Sequence, residues 1–193
     1  MTTDTSEGWD AVAKTFMAIR SEVGANVVRC WAMDAFPPST AILDLGCGSG
    51  MPIAQALVGE GFAVWGIDAS PSLIAAYRSN FPDMPALCEP VQNSAFFGRR
   101  FAGVVAIGLM FLLGEADQDR LLAKVAKALE PGGRFLFSAP HQRCEWRDSL
   151  TGRMSRSLGV EAYAARLQGC GLVLADRLTD EGQNHYYDAA KPG

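Results

Sequence analysis

Lysine is scarce in this chain: Lys14, Lys124, Lys127 and Lys191 are all there are among 193 residues. Arginine carries the rest of the basic charge, and the acids still outnumber it, leaving a net charge of −4. A nucleic-acid surface needs a basic stripe, so nucleic acid is disfavoured as a partner. Cys-x-x-Cys spacing is lacking too. The five cysteines, at 30, 47, 88, 144 and 170, are odd in number and scattered. That pattern argues against a disulfide frame or a zinc site and fits a reducing compartment. No apolar run approaches the length of a membrane span, and no basic-then-apolar leader opens the chain. A cytoplasmic protein with no membrane association is therefore expected. Repeats and low-complexity stretches are missing. Histidine occurs only at 141 and 185, so imidazole chemistry has two candidates.

What is present is ordinary in bulk. Hydrophobic residues make up 49% and charged residues 20%, which suits one globular domain with one core over residues 1–193. Trp9, Val12, Ala13, Phe16 and Ile19 recur at helical spacing, predicting an amphipathic helix over 9–20. A second helix is expected over 22–35, with Val23, Val27, Cys30 and Trp31 inward, stopped by Phe36-Pro37-Pro38. Strands are expected at 41–45, 62–67, 86–89, 103–109 and 134–139. Helices fall between them from Pro52, from Ser70-Pro71 and over 116–129; a serine followed by proline is a helix start with cap and first-turn residue in place. The segment 140–157 is polar, arginine-rich and irregular, and connections of that length tend to be functional. A helix at 160–168 and strands at 172–178 and 185–189 complete the chain. The alternation predicts an α/β fold: a doubly wound, seven-stranded, mostly parallel sheet with helices on both faces and a C-terminal antiparallel hairpin.

The most specific stretch is Leu43-Asp44-Leu45-Gly46-Cys47-Gly48-Ser49-Gly50. A short buried strand ends in an acid, turns on glycines and opens a helix at Pro52. Glycine has no Cβ, so a ligand can press against main chain there. A second acid, Asp68, closes the next strand, and this pair of features is how a doubly wound sheet grips a nucleoside. The glycines fall as G-x-G-x-G, with Met51 in the third slot of a dehydrogenase fingerprint, so the dinucleotide pattern is not met.

This motif resembles the first motif of the class I S-adenosylmethionine-dependent methyltransferases, in the small single-domain form that acts on small molecules. Val64-Trp65-Gly66-Ile67-Asp68-Ala69-Ser70 is similar to the second motif, Phe101 to Leu113 to the fourth strand, and Leu129-Glu130-Pro131-Gly132-Gly133-Arg134 to the turn before the fifth. The likeness runs over roughly residues 40–140. One departure is Phe101-Ala102, where the family commonly has Phe-Asp.

The resemblance implies S-adenosylmethionine as cofactor and S-adenosylhomocysteine as product. It implies that main chain at Gly46, Cys47 and Gly48 packs against the methionine half. Asp44 orders the turn or reaches the amino group through water, and Asp68 accepts from both ribose hydroxyls. Ala69 lies beside the adenine, Glu89 and Pro90 near its amine, and Ile107 offers backbone to the methionine part. Residues 1–36 become a helical lid over a 40–139 cofactor core, with 140–157 on the substrate side. Trp9 and Phe16 then face the sulfonium, where aromatic faces favour a cation, or simply pack the core. Arg20 pairs with the cofactor carboxylate or stays on the surface.

For the acceptor side, His141 and His185 are candidates for a base or a substrate contact. Met110, Phe111, Trp146 and Tyr186 are candidates for the pocket, against a core role. The arginines at 143, 147, 153 and 156 would suit an acidic acceptor or a solvated face. No Asp/Asn-Pro-Pro-Tyr follows strand four, which disfavours base-amine methylation. No acid falls within Gly108–Leu113, so no metal site is expected. A small-molecule acceptor comes first; a protein or RNA acceptor, and a non-catalytic cofactor-binding protein, are the alternatives. The assembly expected is a monomer or homodimer.

Overall fold

The computed structural model describes residues 4–193. The first three residues of the expected N-terminal lid lie outside that range. Two helices come first, α1 (Trp9–Ile19) and α2 (Ala25–Ala35). Then β1 (Ala41–Leu45), α3 (Ile53–Gly59), β2 (Ala63–Asp68), α4 (Pro71–Asn80), β3 (Ala86–Cys88) and β4 (Phe101–Ala106) follow in order. The chain continues through α5 (Glu115–Ala128), β5 (Leu129–Ser138), β6 (Cys144–Arg147), β7 (Met154–Ser157) and α6 (Val160–Gly169). It closes with β8 (Val173–Thr179) and β9 (His185–Ala190).

The main sheet has seven strands in the order β3-β2-β1-β4-β5-β9-β8. Strands β1 to β5 pair in parallel, while β9 is antiparallel to both β5 and β8. The expected doubly wound sheet with its C-terminal hairpin is therefore what forms. Parallel strands are buried on both faces, so their apolar side chains divide between two cores. In β5, Phe135 and Phe137 join the cluster beneath α5 and α6, and Leu136 joins the one beneath α2, α3 and α4. In β1, Leu43 and Leu45 take the first side and Ile42 the second. The order of strands reverses between β1 and β4. Their carboxyl ends therefore diverge into a crevice, the place where ligands bind in sheets of this kind.

Several boundaries differ from expectation. The segment 140–157 is not irregular: β6 and β7 form a separate antiparallel hairpin, with Trp146 opposite Ser155 and Glu145 opposite Arg156. Strand β4 stops at Ala106, because Gly108 adopts φ +77° and turns the chain into a single 3-10 turn over Met110–Leu112. Helix α2 starts only after Gly24, and Cys30 is exposed while Val28, Trp31 and Ala32 face inward. Trp31 donates its indole N–H to the buried Asp188 carboxylate at 2.9 Å, and Arg134 pairs with the same carboxylate. That shared anion ties α2 to β5 and β9 of the sheet.

Candidate active site

A cavity of about 690 Å³ opens at the carboxyl ends of β1 and β4. Its floor is the glycine turn. Gly46 and Gly48 have φ of +71° and +55°, values L side chains rarely adopt. A Cβ at Gly46 would come within 3.1 Å of Leu109, and one at Gly48 would stand 3.5 Å from the Phe16 ring of α1. The turn is pinned from below: the N–H groups of Gly46 and Cys47 both donate to the Ile67 carbonyl, at 2.8 and 3.1 Å.

Asp68 ends β2 in the cavity wall. One carboxylate oxygen accepts from the Gly48 N–H and the other from the Ser70 N–H, both at 2.9 Å. Each oxygen keeps a further lone pair for a ligand hydroxyl. Burial pushes the Asp68 carboxyl above the usual carboxylate range, against the pull of those donors. Ser70 also caps α4, accepting from the Leu73 N–H at 3.2 Å. Its hydroxyl donates to Asp10 of α1 at 2.7 Å, and the Ser72 N–H reaches the same Asp10 oxygen at 2.8 Å. Helix α1 is thus fastened to the loop that presents Asp68.

Arg20, just past α1, lines the same cavity and makes no ion pair among the described residues. Burial lowers its affinity for a proton, while Tyr186, Asp44 and Asp180 oppose that by favouring the cation. Guanidinium stays charged regardless. Asp44 lies beneath the turn at 2% exposure, outside the cavity wall, with Oδ2 buried and unpartnered. Burial, with a smaller push from Asp68, raises its carboxyl to about 7, and Arg20 opposes this.

Of the residues expected at the cofactor, Arg20, Gly46, Gly48, Asp68, Ala69, Pro90 and Ile107 line the cavity. Cys47 does not. Its N–H is taken by Ile67, and its thiol packs inward, where a Cβ on Gly66 would lie 2.8 Å from the sulfur. Glu89 does not either; its carboxylate supports the charge of Lys124, and Pro90, Val91 and Gln92 form the wall instead.

At the acceptor end, Trp9, Trp146, Tyr186 and His185 line the cavity. Met110 is a correction: it is wholly buried in the core, because the 3-10 turn rotates it inward and Phe111 outward. Phe111 meets Trp146 with ring centroids 5.3 Å apart. The Tyr186 hydroxyl is occupied, donating to Asp180 at 2.6 Å. His141 stacks on His185 at 3.9 Å between centroids, behind the cavity wall. Its Nε2 is buried without a partner, and burial, His185 and Arg177 all push its proton affinity down. Ser138, which accepts the Gly108 N–H at 2.7 Å, and Asp148 and Leu150 of the hairpin turn also line the space. Sequence reasoning missed these three, since only the pairing of β6 with β7 brings the turn over the crevice.

The order of strands, the reversal at β1 and β4 and the acid-flanked glycine turn define the fold of the class I S-adenosylmethionine-dependent methyltransferases. More particularly, residues 42–133 match the family model of a methyltransferase domain. It is 32% identical over 116 residues to the carboxy-S-adenosyl-L-methionine synthase of Desulforapulum autotrophicum, covering 55% of this chain and 46% of that one. It is 29% identical over 102 residues to the ubiquinone biosynthesis O-methyltransferase of Coxiella burnetii, covering 50% and 42%. The matches thus span about half the length of these relatives. Among solved structures, magnesium protoporphyrin IX methyltransferase from Synechocystis with bound S-adenosylmethionine superposes at a TM-score of 0.76. It is 13% identical, with 96% of this chain and 94% of that one covered.

Proposed function

We propose that this protein transfers a methyl group from S-adenosylmethionine to a small-molecule acceptor by in-line displacement. The observation that carries the reading is that Asp68, Arg20 and the glycine turn line one cavity, with Asp68 held by the Gly48 N–H of that turn. That set fits the cofactor: a doubly held carboxylate for the ribose, an unpaired guanidinium for the carboxylate, main chain without Cβ for the methionine stem. The unpartnered Asp44 oxygen beneath the turn suits a water leading to the ammonium. When bound, S-adenosylmethionine supplies a methyl carbon already activated by its sulfonium.

The residues of the chain then mainly align and exclude. Helix α1 covers the cavity as a lid, with Phe16 above Gly48, and the β6–β7 hairpin closes the other side. Positioning of this kind supplies on the order of 7–11 kcal/mol of a barrier. His185, at the acceptor end, takes a proton from a nucleophile that carries one. No described helix is long and apolar enough to cross a membrane, and the five unpaired cysteines suit work in the cytoplasm.

Calorimetry with S-adenosylmethionine and S-adenosylhomocysteine tests the site. Both should bind at one site per chain, and Asp68→Asn should weaken both; unchanged affinity in the variant would refute the assignment. Labelled cofactor incubated with a metabolite library should then yield methylated product. Binding with no product from any acceptor would favour the non-catalytic alternative.

A further inference from the structure

The acceptor end of the cavity has a chemistry of its own. The hairpin over it is rich in arginine, yet none of Arg143, Arg147, Arg153 or Arg156 lines the cavity. Arg147 donates to the Gly152 carbonyl at 3.2 Å, Arg153 pairs with Glu7 at 3.0 Å and Arg156 with Glu145 at 3.7 Å. The acids there are also engaged. Glu7 holds Arg153, and one oxygen of Asp148 accepts from the Leu150 N–H, the Thr151 N–H and the Thr151 hydroxyl within its own turn. The apolar part of the lining is Trp146 tilted against Phe111, then Leu113 and Leu150, with Trp9 set edge-on to Phe16 from α1; the polar part is acidic or neutral, Glu7, Asp148, Gln183 and Asn184.

Beside the engaged Glu7 and Asp148, the side chain here that can take a proton from a ligand is His185. Its ring lies flat on His141, 10° from parallel, with the Thr179 hydroxyl 3.3 Å from Nδ1. A hydroxyl there can donate to Nδ1 or accept from it and so serves either imidazole tautomer, and a ring stacked on a second ring is held in orientation. Around it stand His141 from the end of β5, Thr179 and Arg177 of β8, and Tyr187 of its own strand.

Resting on the methyl-transfer reading, we infer that the acceptor is a flat, uncharged aromatic or heteroaromatic molecule with one O–H or N–H presented to His185. Apolar aromatic walls stabilise such a ring by area and by edge-to-face contact. A carboxylate or phosphate would enter with no cation to meet it and would bear the cost of desolvation unpaired. In the transfer, the acceptor's oxygen or nitrogen forms a bond to the methyl carbon. The carbon–sulfur bond breaks with its electron pair retained by sulfur, and the acceptor proton passes to the His185 imidazole and on to solvent.

The test uses the whole chain saturated with S-adenosylhomocysteine, and two neutral probes, 2-naphthol and 4-hydroxyquinoline, beside the anion 6-hydroxy-2-naphthoate. At least one neutral probe should bind, and the anion at least tenfold more weakly than 2-naphthol. Trp146→Ala should cost 2-naphthol about tenfold while S-adenosylhomocysteine affinity stays within twofold. Equal or tighter binding of the anion, no binding of either neutral probe, or an unaltered 2-naphthol affinity in Trp146→Ala would each overturn the inference. If S-adenosylhomocysteine itself fails to bind, the cofactor reading falls; the contrast between neutral and anionic probes is then made on Arg20→Gln, since a free Arg20 lines the same cavity and would meet the anion, and it still decides the chemistry of the acceptor pocket.

Discussion

The two ends of the cavity are built from different materials. The cofactor end is main chain and charge: a glycine turn, a carboxylate held by two N–H groups, a lone guanidinium and a buried acid without a partner. The acceptor end is side chain and apolar surface, assembled from α1, the turn after β4 and a hairpin that is no part of the main sheet. Backbone geometry fixes what the first end recognises, so it varies little with the identity of neighbouring side chains. The second end can change its ligand by changing a few rings, and the fold would not notice.

Four changes would break or sharpen that contrast. The largest effect expected is on stability and belongs to Asp44. Its carboxyl is raised to about 7 when folded. From near pH 4 upward the unfolded chain therefore releases this proton while the folded chain keeps it until about 7. Stability from this group falls with rising pH across that window and then levels, by about 4 kcal/mol at 1.36 kcal/mol per pH unit. The difference in unfolding free energy between wild type and Asp44→Asn, followed by denaturant titration from pH 4 to 8, should show that slope. A flat difference would mean that the cofactor end stores no such burden.

Next comes Asp68→Asn. It removes the negative charge that two N–H groups serve, each charged hydrogen bond being worth about 1.5–3 kcal/mol. S-adenosylhomocysteine affinity should fall on the order of 100-fold by calorimetry. His185→Gln should leave that affinity unchanged and slow transfer to a protic acceptor on the order of 100-fold, as loss of a general base does. A fall in cofactor affinity instead would place His185 at the wrong end. Smallest is Asp10→Ala, which deprives Ser70 and Ser72 of their acceptor. It should cost about 1 kcal/mol, the usual scale of a lost cap, read as a lower melting temperature and a several-fold weaker cofactor.

The same division explains what could be read from residues alone. The β1 acid, the glycine turn, the β2 acid and Ser70-Pro71 are local: each residue type is required by its own backbone, so the cofactor end is written in order along the chain. Even there, spacing could not tell that the Cys47 N–H is already taken by Ile67, or that Glu89 stays out of the cavity wall. The acceptor end depends on rotations and pairings between distant segments. Met110 and Phe111 are adjacent and both apolar, and only the 3-10 turn after Gly108 decides which one is core. In the hairpin a signal was present: Cys144, Trp146, Ser155 and Ser157 alternate with exposed or charged residues at strand period. The dense arginines hid it, because they read as a solvated loop, whereas Arg147 and Arg156 sit within the two strands and Arg143 and Arg153 directly precede them.

The link from Asp10 to Ser70 joins residues 60 positions apart. A chain cut to begin after α1 would keep Asp68, all three glycines of the turn and every strand of the sheet. It would nevertheless lose the oxygen that receives the Ser70 hydroxyl and the Ser72 N–H, and the start of α4 would loosen around the acid proposed for the ribose. In a screen of shortened clones, such a piece would look like a mutant of the nucleoside motif, although no letter of that motif had been altered.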